Sequence, residues 1–385
     1  MPDTNFDLRT RLHAWVLEKA ADLPADELTD DTPLFERRYL RSVHVPELLQ
    51  LIERLRGQPI DADDLRRGDF RDIATMVDRF GGGVTQAAPE LAAAPVTESR
   101  SASADIGLRW EEATGQVRLH GPLLELWNRI DQAVVALAAL WDAEAEQHPA
   151  MIDLAVLDRL GYLRGFAHQA TFVALPGNDT GGEPAVTAGQ PMPVAAALTP
   201  AACYHIYIAH QGEKLDSTKY FTTRNVCFRH EQSCQPLRRQ RVFGMREIVC
   251  LGTRDCAAAF VVRARDVVDR FCRELDIPLQ WEGATDPFFA PATDPRALLQ
   301  RISAVKTEAR FDDLALASTN KHHEHFGELM DITCGSAPAH SACLAFGLER
   351  WLFAITARHG NDPAAWPDPI AAATAVAAEL RGVAA

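Results

Sequence analysis

The chain predicts an α+β fold built on a mainly antiparallel sheet and preceded by a small all-helical domain. Over residues 1–80, apolar residues recur at helical spacing. Between Thr199 and Val262, and again from Ala304 to Thr319, β-branched and aromatic residues gather in short runs. Helical patterns flank those runs, the arrangement of an α+β domain. The stretch from Gly81-Gly82-Gly83 to about Ala104 is rich in Gly, Ala, Ser, Thr and Pro, has no periodicity, and reads as a flexible linker. The expected organisation is therefore a helical domain over 1–80, a linker over 81–105 and an α+β domain over 106–385. A length of 385 residues allows this, since domains average roughly 150 residues.

A first helix is expected from about Phe6 to Ala21, with Leu8, Leu12, Trp15 and Val16 on one face. After the loop Thr29-Asp30-Asp31-Thr32-Pro33, a second helix starts near Ser42, a plausible N-cap. Glu47 and the run Leu48-Leu49-Leu51-Ile52 follow, with Gly57 beyond the end. A third runs from about Asp69 to Phe80. In the second domain, residues 121–165 read as helix, with Leu123, Leu126, Ile130, Val134 and Leu137 on one stripe. Strands are expected at Tyr204–Ala209, Asn225–Arg229 and Phe243–Leu251, then helices at Asp255–Leu275 and Pro295–Ile302. Strands return near Ala304–Phe311 and Leu314–Thr319. A helix from Gly347 to about Ala357 and one more close the chain.

Composition excludes some functions. With 39 Lys+Arg against 53 Asp+Glu the net charge is −14, which argues against a nucleic-acid binder working through bulk charge. No apolar run approaches the roughly 18 residues of a membrane span. The start, Met1-Pro2-Asp3-Thr4-Asn5, has neither the basic nor the apolar region of a signal peptide. All eight cysteines follow residue 200 and none forms Cys-x-x-Cys. Scattered thiols in a large chain predict a reducing, cytoplasmic setting.

Two stretches carry chemistry. The first is Cys227-Phe228-Arg229-His230-Glu231, a loop with Arg238, Arg239 and Arg241, then Phe243-Gly244-Met245-Arg246-Glu247. It reads as two antiparallel strands joined by a basic loop. An arginine projecting there can pair with a phosphate through two parallel hydrogen bonds, and a phenylalanine on the return strand offers a face to a base. The second is Ala345-Phe346-Gly347-Leu348-Glu349-Arg350-Trp351-Leu352, a strand running through glycine into a helix, with Arg350 in the first turn.

In this order, with about a hundred residues of α+β between them, the two stretches resemble the second and third signature motifs of class II aminoacyl-tRNA synthetases. A closer resemblance is to the amino acid:[carrier protein] ligases, which look like the catalytic core of the zinc-dependent, atypical seryl-tRNA synthetases. It rests on Cys203-Tyr204-His205, Phe228-Arg229-x-Glu231, Met245-Arg246-Glu247, Ser318-x-Asn320-x-His322, Phe326-Gly327 and His340-Ser341-Ala342-Cys343-x-x-Phe346-Gly347, spread over most of 121–360. The resemblance implies a small amino acid activated by ATP as an aminoacyl-adenylate, then passed to the phosphopantetheine thiol of a carrier protein.

It also implies site residues. A zinc ion would be held by Cys203, Glu247 and Cys343, about one per chain; two thiolates and a carboxylate leave a fourth position open to an amino group. Arg229 would grip the α-phosphate of ATP and Arg350 the γ-phosphate. Phe243 would stack on adenine, with Glu231 near its exocyclic amine and Asn320 orienting the amino acid. Magnesium would bridge the phosphates, with Glu308 a candidate ligand. Adjacent imidazoles on a strand face opposite ways, so at most some of His322-His323-x-His325 could share one ion; the run is placed with the Ser318-x-Asn320-x-His322 signature, near the substrate and not on zinc. His230 and His340 are read as structural or as outer supports of the site's ligands. Class II cores pair through their first motif, so a two-fold homodimer is expected around His148-Pro149-Ala150-Met151-Ile152.

The first domain resembles an acyl carrier protein through Leu40-Arg41-Ser42-Val43 after an acidic loop and Asp69-Phe70-Arg71-Asp72-Ile73 opening the last helix. Ser42 stands where that family carries 4'-phosphopantetheine, added by a phosphopantetheinyl transferase. Arg41 departs from the family's usual Asp or Gly. The carrier substrate is then the chain's own domain, a free carrier, or both, with no tRNA and no membrane involved. Two rival readings are a true aminoacyl-tRNA synthetase and a non-catalytic, synthetase-like regulatory protein.

Overall fold

Helix α1 (Thr4–Lys19) buries Leu8, Leu12 and Val16, residues four apart that lie one above another on a helix. Helix α2 (Val45–Arg56) answers with Val45, Leu48 and Ile52. Helix α3 (Ile73–Phe80) answers with Ile73, Met76, Val77 and Phe80. The chain enters α3 through Asp72, whose carboxylate accepts the Thr75 amide at 2.8 Å, an N-cap that satisfies an otherwise orphaned donor. Phe70 and Phe80 close this core with ring centroids 5.1 Å apart.

The computed structural model describes all residues except 1–3, 21–22, 25, 42–43, 57–59, 61–63, 67, 82–105, 175–192, 285, 287–304 and 383–385. Ser42, the linker from Gly82 onward and the helix expected at Pro295–Ile302 lie outside the described residues. The chain divides into two compact units, Met1–Ala102 with Gly283–Val305, and Ser103–Glu282 with Lys306–Ala385.

The second unit opens with a hairpin, β1 (Leu108–Glu111) and β2 (Gln116–Leu119), and helix α4 (Gly121–Ala138). Helix α4 carries the expected stripe but stops where Asp142 turns left-handed (φ 51°) after a 3-10 turn. The helix expected through residue 165 is instead α4, strands β3 (Glu144–Glu146) and β4 (Met151–Asp153), and short helices α5 (Leu154–Arg159) and α6 (Tyr162–Phe166). Strands β5 (Thr171–Ala174) and β6 (Val194–Leu198) join β4 in a three-stranded sheet of order β4-β6-β5.

Tyr204–Ala209, expected as a strand, is helix α7. Its aromatic and β-branched content suggests a strand, but His205, Ile206 and Tyr207 are buried in succession, and a one-sided strand cannot bury three consecutive side chains on one face. Tertiary packing overrides local preference.

After β7 (Lys214–Leu215) come β8 (Lys219–Phe228), β9 (Val242–Gly252), α8 (Arg254–Glu274), β10 (Gln280–Gly283), β11 (Lys306–Phe311) and β12 (Leu314–His323). Then follow α9 (His325–Leu329), β13 (Thr333–Cys334), β14 (Ala337–Pro338), β15 (His340–Gly347), α10 (Leu348–His359) and α11 (Pro369–Gly382). The central sheet has the order β10-β11-β12-β15-β9-β8-β3. Its pairs from β11 through β8 are antiparallel, and β3 joins β8 in parallel.

Side-chain alternation divides this sheet's two faces. Ile248, Cys250, Ala342, Leu344 and Phe346 enter one core, beneath α4, α8 and α10. Val249, Leu251 and Cys343 enter another, with Cys203, Ile206, Tyr207 and Phe326. Arg246 and Glu247 part in the same way. Arg246 pairs with Asp131 of α4, Nη2 to Oδ2 at 3.1 Å, and Arg224 reaches the same carboxylate at 3.0 Å. No helix of the described residues is long and apolar enough to cross a membrane.

Candidate active site and metal centre

Register sets up the metal centre. Cys343 of β15 lies opposite Asn320 of β12 on one side and Val249 of β9 on the other, so Glu247, two residues from Val249, projects from the same face. Cys203 arrives from the start of α7, where its backbone N–H donates to Glu247 Oε1 at 2.9 Å. The ligand atoms of Cys203, Glu247 and Cys343 all lie within 4.8 Å of one another, and all three residues are buried. Two thiols and a carboxylate converging in an apolar shell suit a thiophilic divalent ion far better than they suit one another. The Cys203 thiol is pushed well up by its hydrogen bond with Cys343, by burial and by the Glu247 charge.

Polar groups surround the cluster. Asn320 Nδ2 donates to Cys343 Sγ at 3.4 Å. His322 Nε2 lies 3.8 Å from that sulfur, and its Nδ1 is 3.2 Å from the Tyr207 hydroxyl and 3.3 Å from Ser341 Oγ. Tyr207 stacks on Phe326 with ring centroids 4.0 Å apart. Sequence reasoning missed Tyr207, because residues 204–209 were expected to be a strand. The spacing Cys203-x-x-x-Tyr207 is the signal that identifies it, since residues four apart share a helix face.

Phe243 shares the face of β9 that carries Glu247, four residues away, so about 13 Å separates their positions along the strand. The Arg229 guanidinium sits over the Phe243 ring at 5.3 Å, and its Nε donates to the Pro200 carbonyl at 3.1 Å. Arg350, in the first turn of α10, donates to the carbonyls of Arg238 at 2.9 Å and Ala315 at 3.0 Å. Burial, and next the Arg229 charge, push its guanidinium down to about 10; Glu308, Arg239 and Glu231 also act on it. Two partly buried arginines from separate motifs thus repel one another, which an anion between them would relieve. Glu231 pairs with Arg239 at 3.1 Å. Glu308 lies 3.4 Å from Lys306 and 3.3 Å from Arg310.

Glu349, beside Arg350, was not singled out by sequence. Its Oε1 accepts the Trp127 indole N–H at 3.1 Å and the Gly244 amide at 2.9 Å. A Cβ on residue 244 would stand 2.6 Å from Trp127 Cζ2, so only glycine lets β9 approach this closely. Burial raises the Glu349 carboxyl from its ordinary 4.5 to about 7, against the hydrogen bonds that favour its ionised form. An acid with a raised folded-state value binds its proton more tightly folded than unfolded. Stability should therefore fall as pH rises from about 4.5 to about 7 and level off above, by about 3 kcal/mol for this group. Glu349→Gln should remove that slope, which urea-unfolding midpoints of both proteins across this range will test.

No protein-family model matches the chain. Among solved structures it is similar to the M. kandleri SerRS seen in complex with A. aeolicus tRNASec, with TM-score 0.59 and 20% identity over 68% of this chain. It is also similar to cytoplasmic serine-tRNA ligase from Naegleria fowleri, solved with AMP, with TM-score 0.50 and 14% identity over 66% of this chain. The chain spans 57% and 59% of those two structures, and at such identities the likeness establishes the fold alone. Among curated proteins it is similar to two from Bradyrhizobium diazoefficiens. It is 32% identical to "Amino acid--[acyl-carrier-protein] ligase 1" over 245 residues, 58% of this chain and 74% of that protein. The corresponding ligase 2 is 32% identical over 247 residues, 59% of this chain and 73% of that protein. Identity at this level across nearly three quarters of both relatives, on a class II synthetase-like sheet, means that the chain belongs to the amino acid--[acyl-carrier-protein] ligases.

Proposed function

We propose that the second unit activates a small amino acid with ATP and transfers it to the phosphopantetheine thiol of a carrier protein. The observation that carries this reading is a shared sheet face: the Arg229–Phe243 pair and the Cys203–Glu247–Cys343 cluster stand at the two ends of one stretch of β9. An adenosine phosphate joined to an amino acid needs both recognition elements in line.

In this reading Phe243 stacks on adenine, Arg229 grips the α-phosphate and Arg350 the γ-phosphate, and Glu231 is placed for the adenine amine. An oxygen of the amino acid's carboxylate bonds to the α-phosphorus, the bond to the bridging oxygen breaks, and pyrophosphate leaves. Fixed positive charge lowers this barrier because it needs no reorganisation as charge develops. The carrier thiolate then attacks the acyl carbonyl and AMP leaves, the thiol proton passing to solvent. Zinc on Cys203, Glu247 and Cys343 would supply a Lewis-acidic anchor for the substrate's amino group. Asn320, bonded to the Cys343 sulfur, holds that ligand's orientation and faces the same space. Magnesium would neutralise the phosphates, with Glu308 the candidate ligand.

The helical core of residues 8–80 supports an acyl-carrier-type domain, with Ser42, just before α2, as the attachment point for 4'-phosphopantetheine. The exposed apolar side chains Met151, Phe172 and Val194 on the β4-β6-β5 sheet support a homodimer through residues 148–152; light scattering at micromolar concentration should read two chains, and a monomer would remove this proposal. The described thiols are all free, which suits a cytoplasmic setting.

ATP–pyrophosphate exchange with a panel of amino acids tests activation: exchange with a small amino acid is expected, and none with any would sink the reading. Intact-mass spectrometry tests the acceptor. After incubation with a phosphopantetheinyl transferase and coenzyme A, then ATP and amino acid, the chain should gain mass in two steps, neither of them in Ser42→Ala. Exchange without prosthetic-group addition would leave the ligase and move the acceptor to a free carrier. Aminoacylation of tRNA instead would make it a synthetase.

A further inference from the structure

We propose that His323, Glu324 and His340 form a second metal site, separate from the cysteine cluster, for a divalent ion of the zinc class. Their ligand atoms all lie within 4.8 Å of one another. Glu324 is buried and the two histidines are partly so, which leaves the site open to solvent on one side. His340 Nε2 lies 3.8 Å from Glu324 Oε2, and the rings of His323 and His340 stand edge to face with centroids 6.4 Å apart. That spacing is too wide for stacking and admits an ion beside both imidazoles.

Backbone geometry makes the convergence possible. On a regular strand His323 would point away from its neighbours in sequence. Here the β12–β15 register shifts between Lys321 and His323, and His323 adopts the left-handed conformation at φ 55°. Few non-glycine residues do so, and such conformations persist where the surroundings over-determine them. The bulge brings His323 and Glu324 to the same point, against His340 at the start of β15. His322 goes elsewhere, to Cys343, Ser341 and Tyr207. In this proposal the histidine run, expected near the substrate and not on zinc, serves two different places; His340, expected in a structural or supporting role, becomes a ligand, and the carboxylate between strand and helix completes the second site.

Donor chemistry selects the ion. Two imidazoles and one carboxylate are borderline donors suited to zinc, cobalt or nickel, whereas calcium and magnesium prefer all-oxygen sets. Three protein ligands leave one position for water. The ion would clip the end of β12 and the start of α9 to the start of β15, the corner that carries His322 and Phe326 towards the candidate active site.

The test is a titration of the chelator-stripped full chain with cobalt(II) alone, followed by absorbance and equilibrium dialysis. Two equivalents are expected. One shows the thiolate-to-cobalt charge-transfer band and disappears in Cys343→Ser. The other lacks that band, survives in Cys343→Ser, and disappears in His340→Ala and in His323→Gly. Glycine accepts the positive φ at 323 without strain, so that variant removes the ligand and spares the backbone; circular dichroism matching the parent confirms that it folds. A parent that binds only the equivalent with the charge-transfer band, or a band-free equivalent that survives both histidine variants, overturns the proposal. Because the cysteine-bound equivalent has its own band, failure here is distinguishable from failure of the first centre.

Discussion

Arg350→Ala is expected to lower ATP–pyrophosphate exchange by about 10²–10³-fold, the loss typical of removing one pre-organised donor from developing charge. Arg229→Ala should do the same. Both arginines are partly buried, and the charge of Arg229 bears on Arg350. Lysine at either position keeps the charge but loses the planar fork, so Arg229→Lys should recover only part of the rate. Arg239→Ala is the control: Arg239 is more than half exposed and pairs with Glu231, so its removal should cost far less. Circular dichroism must match the parent, because Arg350 also ties the Arg238 and Ala315 carbonyls together. Equal and small losses in all three alanine variants would place the nucleotide elsewhere.

Cys343→Ser should abolish metal binding at the cysteine centre and, with it, amino-acid activation. Serine is close in size, and Asn320 can donate to its hydroxyl as it does to the sulfur, so the fold should survive. What is lost is a thiolate from a three-residue ligand set. The loss in affinity should exceed the roughly 10–100-fold typical of removing an outer hydrogen-bond partner, the class to which Asn320→Ala belongs. Cys272→Ser is the contrast, since Cys272 is on α8 and faces the other core, and should leave metal content unchanged. Elemental analysis with the cobalt charge-transfer band reads both. A Cys343→Ser protein that keeps the band would remove Cys343 from the centre.

Much of the site was legible before folding because strands report their faces locally. Phe243 and Glu247 are four residues apart on a strand, an even spacing, so they must share a face wherever the strand lies. Arg350 follows a glycine at a strand-to-helix turn, which places it in the first turn whatever packs around it. Glu349 and Tyr207 were not legible. Glu349 has meaning only through Trp127 and Gly244, 222 and 105 residues away in the chain. Tyr207 was hidden by a run of strand-favouring residues that burial on all sides turned into a helix.

By itself, the sequence determined the mixed helix-and-sheet class, the apolar stripes of the helices over 1–80 and of the helix after Gly121, and the hairpin strands that carry Phe243 and Glu247. These follow from side-chain period, which acts within a few residues; the ligand set Cys203, Glu247 and Cys343 came from the family resemblance. Tertiary structure alone decided that residues 204–209 are a helix, that the helix after Gly121 breaks at Asp142, and that His322 and His323 part company. In each case the deciding term lies between segments far apart in the chain. Strand register, a one-residue bulge and the burial of a third face set which side chains meet, and none of these is written in local spacing.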